Sequence, residues 1–268
     1  MHDETATGRG RTALITGASG GIGYELARLC AEDGYDVVLV ARDEAALARA
    51  AETFAAGREG AARVIAADLA RPDAPREVAE ALAADGVAVD VLVNNAGIGI
   101  YGPFAASDLA AQLDLLRLNV VALTELTRRF LPGMLARRSG RIFNVASTAA
   151  LLPGPLMATY YASKAYVLSF SEALAEETRR TGVTVTALCP GPTRTAFHST
   201  PAMRDSRMLR FRLAMDAAPV ALAGYRGMQR GERVVVPGRA NWLMAEAVRL
   251  APRALLTRAV HVAQRRAH

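Results

Sequence analysis

The chain contains a single lysine, Lys164, and it follows Tyr160 by four residues, whereas the other 31 of its 32 basic residues are arginines. Arginine spreads its charge over a wide planar fork, and lysine offers a compact ammonium. Residues four apart on a helix share one face, about 5–6 Å apart at Cβ. A phenol beside an ammonium is an acid–base candidate: at ~4 Å the attraction favours phenolate by about 4 kcal/mol. Chance survival of one surface lysine is the competing interpretation.

A glycine-rich turn lies between an apolar strand pattern and an amphipathic helical pattern. Glycines let the backbone approach a pyrophosphate, and the helix that follows offers unpaired N–H groups and a positive dipole end. The segment therefore predicts a dinucleotide site, formed by Gly17, Ser19, Gly21, Ile22 and Gly23. Two glycine spacings coexist, because Gly17 and Gly23 combine either with Gly21 or with Gly20.

The elements that must position these residues alternate along the chain. Near-continuous apolar runs predict parallel strands at 12–16, 36–40, 63–66, 89–93, 141–145 and 184–188, with a late strand at 233–236. Helical patterns occupy 21–33, 44–56, 73–84, 110–137 and 158–181. This order predicts an α/β fold: a doubly wound, Rossmann-like parallel sheet of about seven strands with helices on both faces.

Composition favours one cytoplasmic domain over residues 1–268. No stretch reaches the roughly 18 apolar residues of a membrane span, and the first eleven residues lack the apolar core of a signal peptide. The two cysteines, Cys30 and Cys189, suggest neither a disulfide framework nor a metal site.

From residue 201 onward the chain has 13 arginines and 4 acidic residues, so the net charge of that segment is +9. Without a basic run or an aromatic RNA-binding motif, we expect no nucleic-acid partner.

Further motifs follow the strands in a recognisable order. Asn94-Asn95-Ala96-Gly97 follows the fourth strand, and Tyr160-x-x-x-Lys164 lies 13 residues after Ser147. Together with the glycine-rich turn, these motifs resemble the short-chain dehydrogenase/reductase family. The spacing of Gly17, Gly21 and Gly23 resembles its compact single-domain branch, which the chain length also favours. The resemblance covers residues 12 to about 195 densely.

The resemblance implies a catalytic set, listed here as Asn119, Ser147, Tyr160 and Lys164. Tyr160 would exchange a proton with the substrate oxygen during hydride transfer, and Ser147 would orient the carbonyl. Lys164 would tune the phenol and bind the nicotinamide ribose, and Asn119 would hold a water behind it for proton relay. Tyr161 does not match, because it is one residue too close to the lysine.

The resemblance also extends the cofactor site. Its expected members, besides Tyr160 and Lys164, are Asp68 and Leu69 at the adenine, Asn95, Ala96 and Gly97 along the cofactor, and Pro190, Gly191, Thr193 and Thr195 at the nicotinamide end. At the end of the second strand, Ala41 stands where NAD-preferring relatives carry Asp, and Arg42 follows. We therefore expect NADP(H) rather than NAD(H), with Asp43 acting as a helix N-cap.

Substrate and partners are less constrained by the sequence. A substrate lid at about 196–218, rich in Met and Phe, and the apolar residues Leu151, Leu152, Leu156 and Met157 predict a small hydrophobic carbonyl or alcohol substrate. Core packing is the competing interpretation of both. Basic amphipathic helices at 241–268 are interpreted as packing on their own subunit, as a contact of a homodimer or homotetramer, or as a peripheral membrane contact.

Two functions follow from these observations. The first is an NADP(H)-dependent oxidoreductase acting on CH–OH or C=O groups. The alternative is a non-catalytic NADP-binding regulatory protein on the same fold. The complete set of four catalytic matches favours the enzyme, because a sensor needs the glycine-rich turn but not the acid.

Overall fold

The apolar strands assemble into one parallel sheet of seven strands, in the order β3-β2-β1-β4-β5-β6-β9. The computed structural model describes residues 8–55, 60–195 and 214–264. The strands of the sheet are β1 Thr12–Thr16, β2 Asp36–Ala41, β3 Ala62–Ala66, β4 Val89–Asn94, β5 Gly140–Val145, β6 Val183–Leu188 and β9 Val234–Val235. The predicted doubly wound sheet is thereby confirmed, and its late strand is two residues shorter than expected.

Helices cover both faces of the sheet. They are α1 Gly21–Glu32, α2 Glu44–Phe54, α3 Ala74–Ala84, α4 Leu109–Leu116, α5 Leu123–Arg137, α6 Ala158–Glu177, α7 Ala217–Gln229, α8 Arg239–Leu250 and α9 Arg253–Gln264. Alternate strand residues face opposite layers. Ile15 packs in the core layer of α1, α2 and α7, whereas Leu14 packs in the layer of α3, α5 and α6. Across the described residues, every helix is too short or too polar to cross a bilayer.

The sheet order reverses between β1 and β4, because the chain builds outward from β1 through β2 and β3 and then returns to the other side. The carboxyl ends of these neighbouring strands diverge into a crevice, which is where open α/β sheets bind ligands. The glycine-rich turn follows β1 and Asn95 follows β4. The topology therefore brings the two predicted motifs together.

A chain of buried polar side chains ties β4 and β5 to the helices beneath them. Asn94 Nδ2 donates to Thr127 Oγ1 at 3.1 Å and to Asn144 Oδ1 at 2.9 Å. Asn144 Nδ2 donates in turn to Ser171 Oγ at 2.9 Å. Asn94, Thr127, Asn144 and Ser171 are all at most 4% exposed. These bonds fix the strand ends that carry the Asn95 and Ser147 loops.

Three features differ from the sequence expectations. The helix predicted at 110–137 contains a π-helical segment, Arg117–Ala122, between α4 and α5. The helix predicted at 158–181 ends at Glu177 and is followed by Thr178, whose hydroxyl bonds the Leu174 carbonyl. A second sheet joins β7 Thr193–Arg194 to β8 Met215–Asp216, and strands of two residues carry no alternation to detect. Most of the expected lid, residues 196–213, lies outside the described residues.

Candidate active site

The glycine-rich turn requires glycine at three of its four glycine positions. Gly17 and Gly21 have φ of +66° and +57°, in the left-handed region that favours glycine. A Cβ on Gly23 would lie 2.3 Å from the Gly17 carbonyl oxygen, so this position is closed to side chains. A Cβ on Gly20 would meet nothing within 4 Å. The structure thus selects the Gly17, Gly21, Gly23 spacing, that of the compact branch, over the alternative through Gly20.

Asn95 and Thr16 hold this turn in place. The Asn95 amide donates to the carbonyls of Thr16 at 2.9 Å and of Gly17 at 3.2 Å. Thr16 Oγ1 accepts from the backbone N–H groups of Asn95 and Ala96, both at 3.0 Å. The two loops at the switch point are therefore locked to each other before any ligand binds.

The turn borders a cleft of about 1110 Å³ that runs over the carboxyl ends of the strands. Of the predicted site residues, those lining it are Gly17, Ser19, Gly21, Ile22, Arg42, Asp68, Leu69, Asn95, Ala96, Gly97, Ser147, Tyr160, Lys164, Pro190, Gly191, Thr193 and Thr195. Gly23 and Asn119 do not line it, because each packs behind the surface of the cleft. Helix α1 begins without a side-chain cap, so its first N–H groups remain available to an anion. The cleft therefore fits a dinucleotide.

Tyr160, Ser147 and Lys164 meet at one end of this cleft. The Tyr160 hydroxyl is hydrogen-bonded to Ser147. Ser147 follows β5, and its hydroxyl also accepts from the Ala149 N–H at 3.0 Å. Lys164 is only 5% exposed; its ammonium donates to the Val145 carbonyl at 2.8 Å and lies 5.9 Å from the centre of the Tyr160 ring. The predicted side chains are thus neighbours, and the lysine is not a surface residue.

Burial governs the protonation of both groups. Burial raises the pKa of Tyr160 to about 12, and the hydrogen bond from Ser147 acts in the opposite direction. Burial lowers the pKa of Lys164 from 10.5 to about 8. Desolvation is the largest cause of the Tyr160 shift, so the net pKa is raised rather than lowered. At neutral pH, Tyr160 is therefore a neutral phenol that can donate a proton.

Asn119 lies in the π-helical segment and is 2% exposed. Its side chain accepts from the Ile98 N–H at 2.9 Å and donates to the Ile98 carbonyl at 3.0 Å and to Ser163 Oγ at 3.1 Å. All three contacts are with the protein, so the amide fastens the loop after β4 to α6. A Cβ on Gly97 would lie 3.1 Å from Asn119 Oδ1 and 3.5 Å from Lys164 Nζ, so both groups flank this glycine.

At the opposite end of the cleft, Arg42 follows β2 and is exposed along the wall. Asp43 Oδ1 accepts from the Ala46 N–H at 2.9 Å, which confirms its predicted role as the N-cap of α2. Asp68 bonds the Ala70 N–H at 3.1 Å, as a turn former does, and still lines the cleft.

Among the residues of the cleft that were not predicted are Tyr101, Tyr161 and Gln264. They come from the loop after β4, from α6 and from the last turn of α9. Tyr161 was set aside because it fails the spacing to Lys164. Gln264 carries no sequence signal, since only the fold of the C-terminal helices brings it to the cleft.

A family model described as short chain dehydrogenase matches residues 11–204. The chain belongs to the short-chain dehydrogenase/reductase family. The ketoacyl reductase HetN of Nostoc sp. is 39% identical over 183 residues, covering 68% of this chain and 63% of that protein. The chain thus spans less than two thirds of the length of this curated member of the family.

Solved family members cover nearly the whole chain. A short-chain dehydrogenase from Sphingobium yanoikuyae in complex with NADPH is 31% identical, with a TM-score of 0.80 over 96% of this chain and 97% of that one. A short-chain dehydrogenase/reductase from Burkholderia phymatum in complex with NAD is 28% identical, with a TM-score of 0.78 over 89% and 92%. The solved structures that resemble this chain therefore include one bound to NADPH and one bound to NAD.

Proposed function

We propose that this protein is an NADP(H)-dependent oxidoreductase that reduces a hydrophobic ketone or aldehyde, or oxidises the corresponding alcohol. The single observation that carries the proposal is the convergence of Tyr160, Ser147 and Lys164 at one end of a dinucleotide-sized cleft. The bound cofactor supplies the hydride. A purely regulatory binding protein would need the glycine-rich turn but no acid beside the cofactor.

The state of Tyr160 favours reduction at neutral pH. As a carbonyl accepts hydride, its oxygen gains negative charge, and the neutral phenol of Tyr160 can donate the proton that this oxygen needs. Ser147 shares a hydrogen bond with the same hydroxyl and can orient the carbonyl. Oxidation requires the phenolate instead, and a pKa of about 12 makes that form scarce.

Arg42 supports the preference for NADP(H). Its guanidinium is exposed on the wall of the cleft directly after β2, where this fold accommodates a 2′-phosphate. The neighbouring carboxylate, Asp43, also lines the cleft, but its Oδ1 is occupied as the N-cap of α2. We expect Arg42→Ala to weaken NADPH binding selectively, and tighter binding of NADH than NADPH by the wild type would contradict the preference.

The proposed substrate is hydrophobic because apolar side chains surround the reacting end. Ala149 and Met157 line the cleft beside Tyr160, and Leu152 packs against the same cluster. The relative named a ketoacyl reductase is consistent with a carbonyl on an apolar chain. Activity that fails to rise with longer apolar substituents would count against this substrate class.

The decisive experiment follows NADPH consumption on ketones and aldehydes of graded apolar size. Tyr160→Phe should lower kcat by roughly 10²–10⁴-fold with NADPH binding unchanged, as expected for loss of a general acid. Tyr166→Phe is the matched control, because this tyrosine lies on the same helix, outside the cleft. Retained activity in Tyr160→Phe would refute the mechanism, and tight NADPH binding without turnover would favour the regulatory alternative.

The proposed assembly and location rest on exposed apolar surface. Leu113, Val121 and Tyr166 of α4–α6 are 42%, 52% and 38% exposed, which supports a homodimer or homotetramer through this face. Light scattering of Val121→Glu should then report a smaller species.

On α8, Trp242 and Leu243 are 52% and 60% exposed on a basic segment, which supports peripheral contact of a cytoplasmic protein with anionic membranes. Absence of lipid-dependent pelleting with anionic liposomes would end that proposal.

A further inference from the structure

Gln264, at the end of α9, enters the cleft from the C-terminal end of the described chain. Its side chain is 2% exposed and lines the same cleft as Tyr160. Its backbone carbonyl accepts from the Tyr101 hydroxyl at 2.5 Å, and its Nε2 donates to the Tyr161 hydroxyl at 2.6 Å. Gln264 therefore joins three separate parts of the chain at the substrate end.

The oxygen of the Gln264 side-chain amide, Oε1, is buried and has no hydrogen-bond partner among the described residues. A buried acceptor without a partner is costly, so native proteins leave few of them. The Tyr161 hydroxyl is also only partly satisfied. It accepts from Gln264, and within the described ranges no acceptor is found for its own proton. Because burial raises the pKa of Tyr161, that proton stays in place at neutral pH.

The surroundings of these two groups are apolar. Val260, one turn before Gln264 on α9, packs with Ala149 and Tyr161, and Met157 and Tyr160 lie against the same cluster. A polar group bound here would leave water entirely, so an unmatched donor or acceptor would be penalised. This pairing of a free acceptor with a free donor inside an apolar pocket is the pattern of a specificity site.

We propose that Gln264 Oε1 and the Tyr161 hydroxyl form a subsite for a hydroxyl group of the substrate. A hydroxyl donates one proton and accepts others, so it can donate to Oε1 and accept from Tyr161 at once. The rings of Tyr160 and Tyr161 are 6.0 Å apart at their centroids, so the subsite adjoins the position of the carbonyl at Tyr160, and a hydroxyl on the α or β carbon of that carbonyl is the candidate group. This inference rests on the proposed reductase function and names its substrate class: apolar hydroxy ketones.

The test compares matched ketones on matched variants. The substrates are 2-hydroxyacetophenone, 2-methoxyacetophenone and propiophenone, with 3-hydroxypropiophenone and butyrophenone as the β pair. The variants are wild type, Gln264→Leu and the control Gln229→Leu. Gln229 also donates to a tyrosine, Tyr225, at 2.8 Å, but it lies on α7 outside the cleft. Gln229→Leu therefore removes a similar bond without touching the subsite.

We expect wild type and Gln229→Leu to prefer one of the hydroxy ketones over its methyl-bearing counterpart by about 10-fold in kcat/KM, which corresponds to about 1.4 kcal/mol. Gln264→Leu should abolish that ratio, whatever its absolute activity on propiophenone. Equal ratios in all three proteins, an equal loss on every ketone in Gln264→Leu, or preference for the methoxy ketone would each overturn the subsite.

Failure of the subsite and failure of the reductase remain distinguishable. Tyr160→Phe with NADPH bound, in which turnover should be roughly 10²–10⁴-fold slower, permits calorimetric titration with the same ketones. Weaker binding of the hydroxy ketones after Gln264→Leu in this background supports the subsite even if no panel ketone is reduced by the wild type. Absence of any difference in binding between hydroxy and methyl ketones would overturn it, whatever the outcome for catalysis.

Discussion

Replacing Lys164 with Met should stabilise the fold at neutral pH while removing the activity. The ammonium is 5% exposed, and burial lowers its pKa from 10.5 to about 8. The folded state therefore binds the lysine proton less tightly than the unfolded state does. At pH 7 the lysine is charged in both states, and the folded protein carries a penalty of about 3 kcal/mol from this group.

The direction in which this penalty changes with pH follows from proton binding by the folded and unfolded states. Between pH 8 and 10.5 the unfolded state holds more protons at this lysine, so the penalty disappears as the pH rises through that window. Met keeps the length of the side chain and removes the charge, but it leaves the Val145 carbonyl without the bond of 2.8 Å. That loss costs about 1–2 kcal/mol. Lys164→Met should thus be more stable than wild type by about 1–2 kcal/mol at pH 7.

Urea titrations of wild type and Lys164→Met, at the same protein concentration and at pH 7 and pH 10, measure this difference in the free energy of unfolding. By pH 10 the penalty on the wild type should fall below about 1 kcal/mol, so the order of stabilities should become equal or reverse. Other groups that titrate in this range are common to both proteins and cancel in the comparison. A Met variant that is less stable at pH 7, or a difference that does not change with pH, would refute the reasoning.

Because the chain has one lysine, labelling with ¹⁵N-lysine gives one side-chain signal, whose titration should centre near pH 8; a midpoint near 10.5 would contradict burial of the charge. Gly23→Ala should prevent NADPH binding or folding, because its Cβ would lie 2.3 Å from a backbone oxygen, whereas Gly20→Ala should bind NADPH within about twofold of wild type. Thr127→Val leaves one Asn94 donor bond unmade and should lower the free energy of unfolding by about 1–3 kcal/mol in urea titrations. The rate of reduction should not fall between pH 6 and 9 through loss of the Tyr160 proton, since that proton is lost only near pH 12; a fall in kcat that Tyr160→Phe abolishes would show a lower pKa.

Local motifs explain why so much was predictable from sequence. A strand running into a glycine turn and a helix has few alternative folds, and short crossovers must be right-handed, so the order of elements predicts the sheet. The proximity of Tyr160 and Lys164 was predictable because residues four apart on a helix share one face. Asp43 was read correctly as a cap because capping depends on residues only three apart.

Non-local contacts account for what the sequence did not reveal. Burial of Tyr160 and Lys164, which decides their pKa values, depends on how tightly distant loops close over α6. Asn119, in the π-helical segment, bonds Ile98 and Ser163, which are 21 and 44 residues away along the chain.

The sequence by itself predicted the fold class, the position of the glycine-rich turn and the proposed acid–base pair of Tyr160 and Lys164, because each depends on short-range patterns along the chain. Only the tertiary structure decided that burial raises the pKa of Tyr160, which glycine spacing is required, and that Gln264 meets Tyr161 across 103 residues. Desolvation and long-range hydrogen bonds arise when separate segments exclude water together, and no local pattern records them.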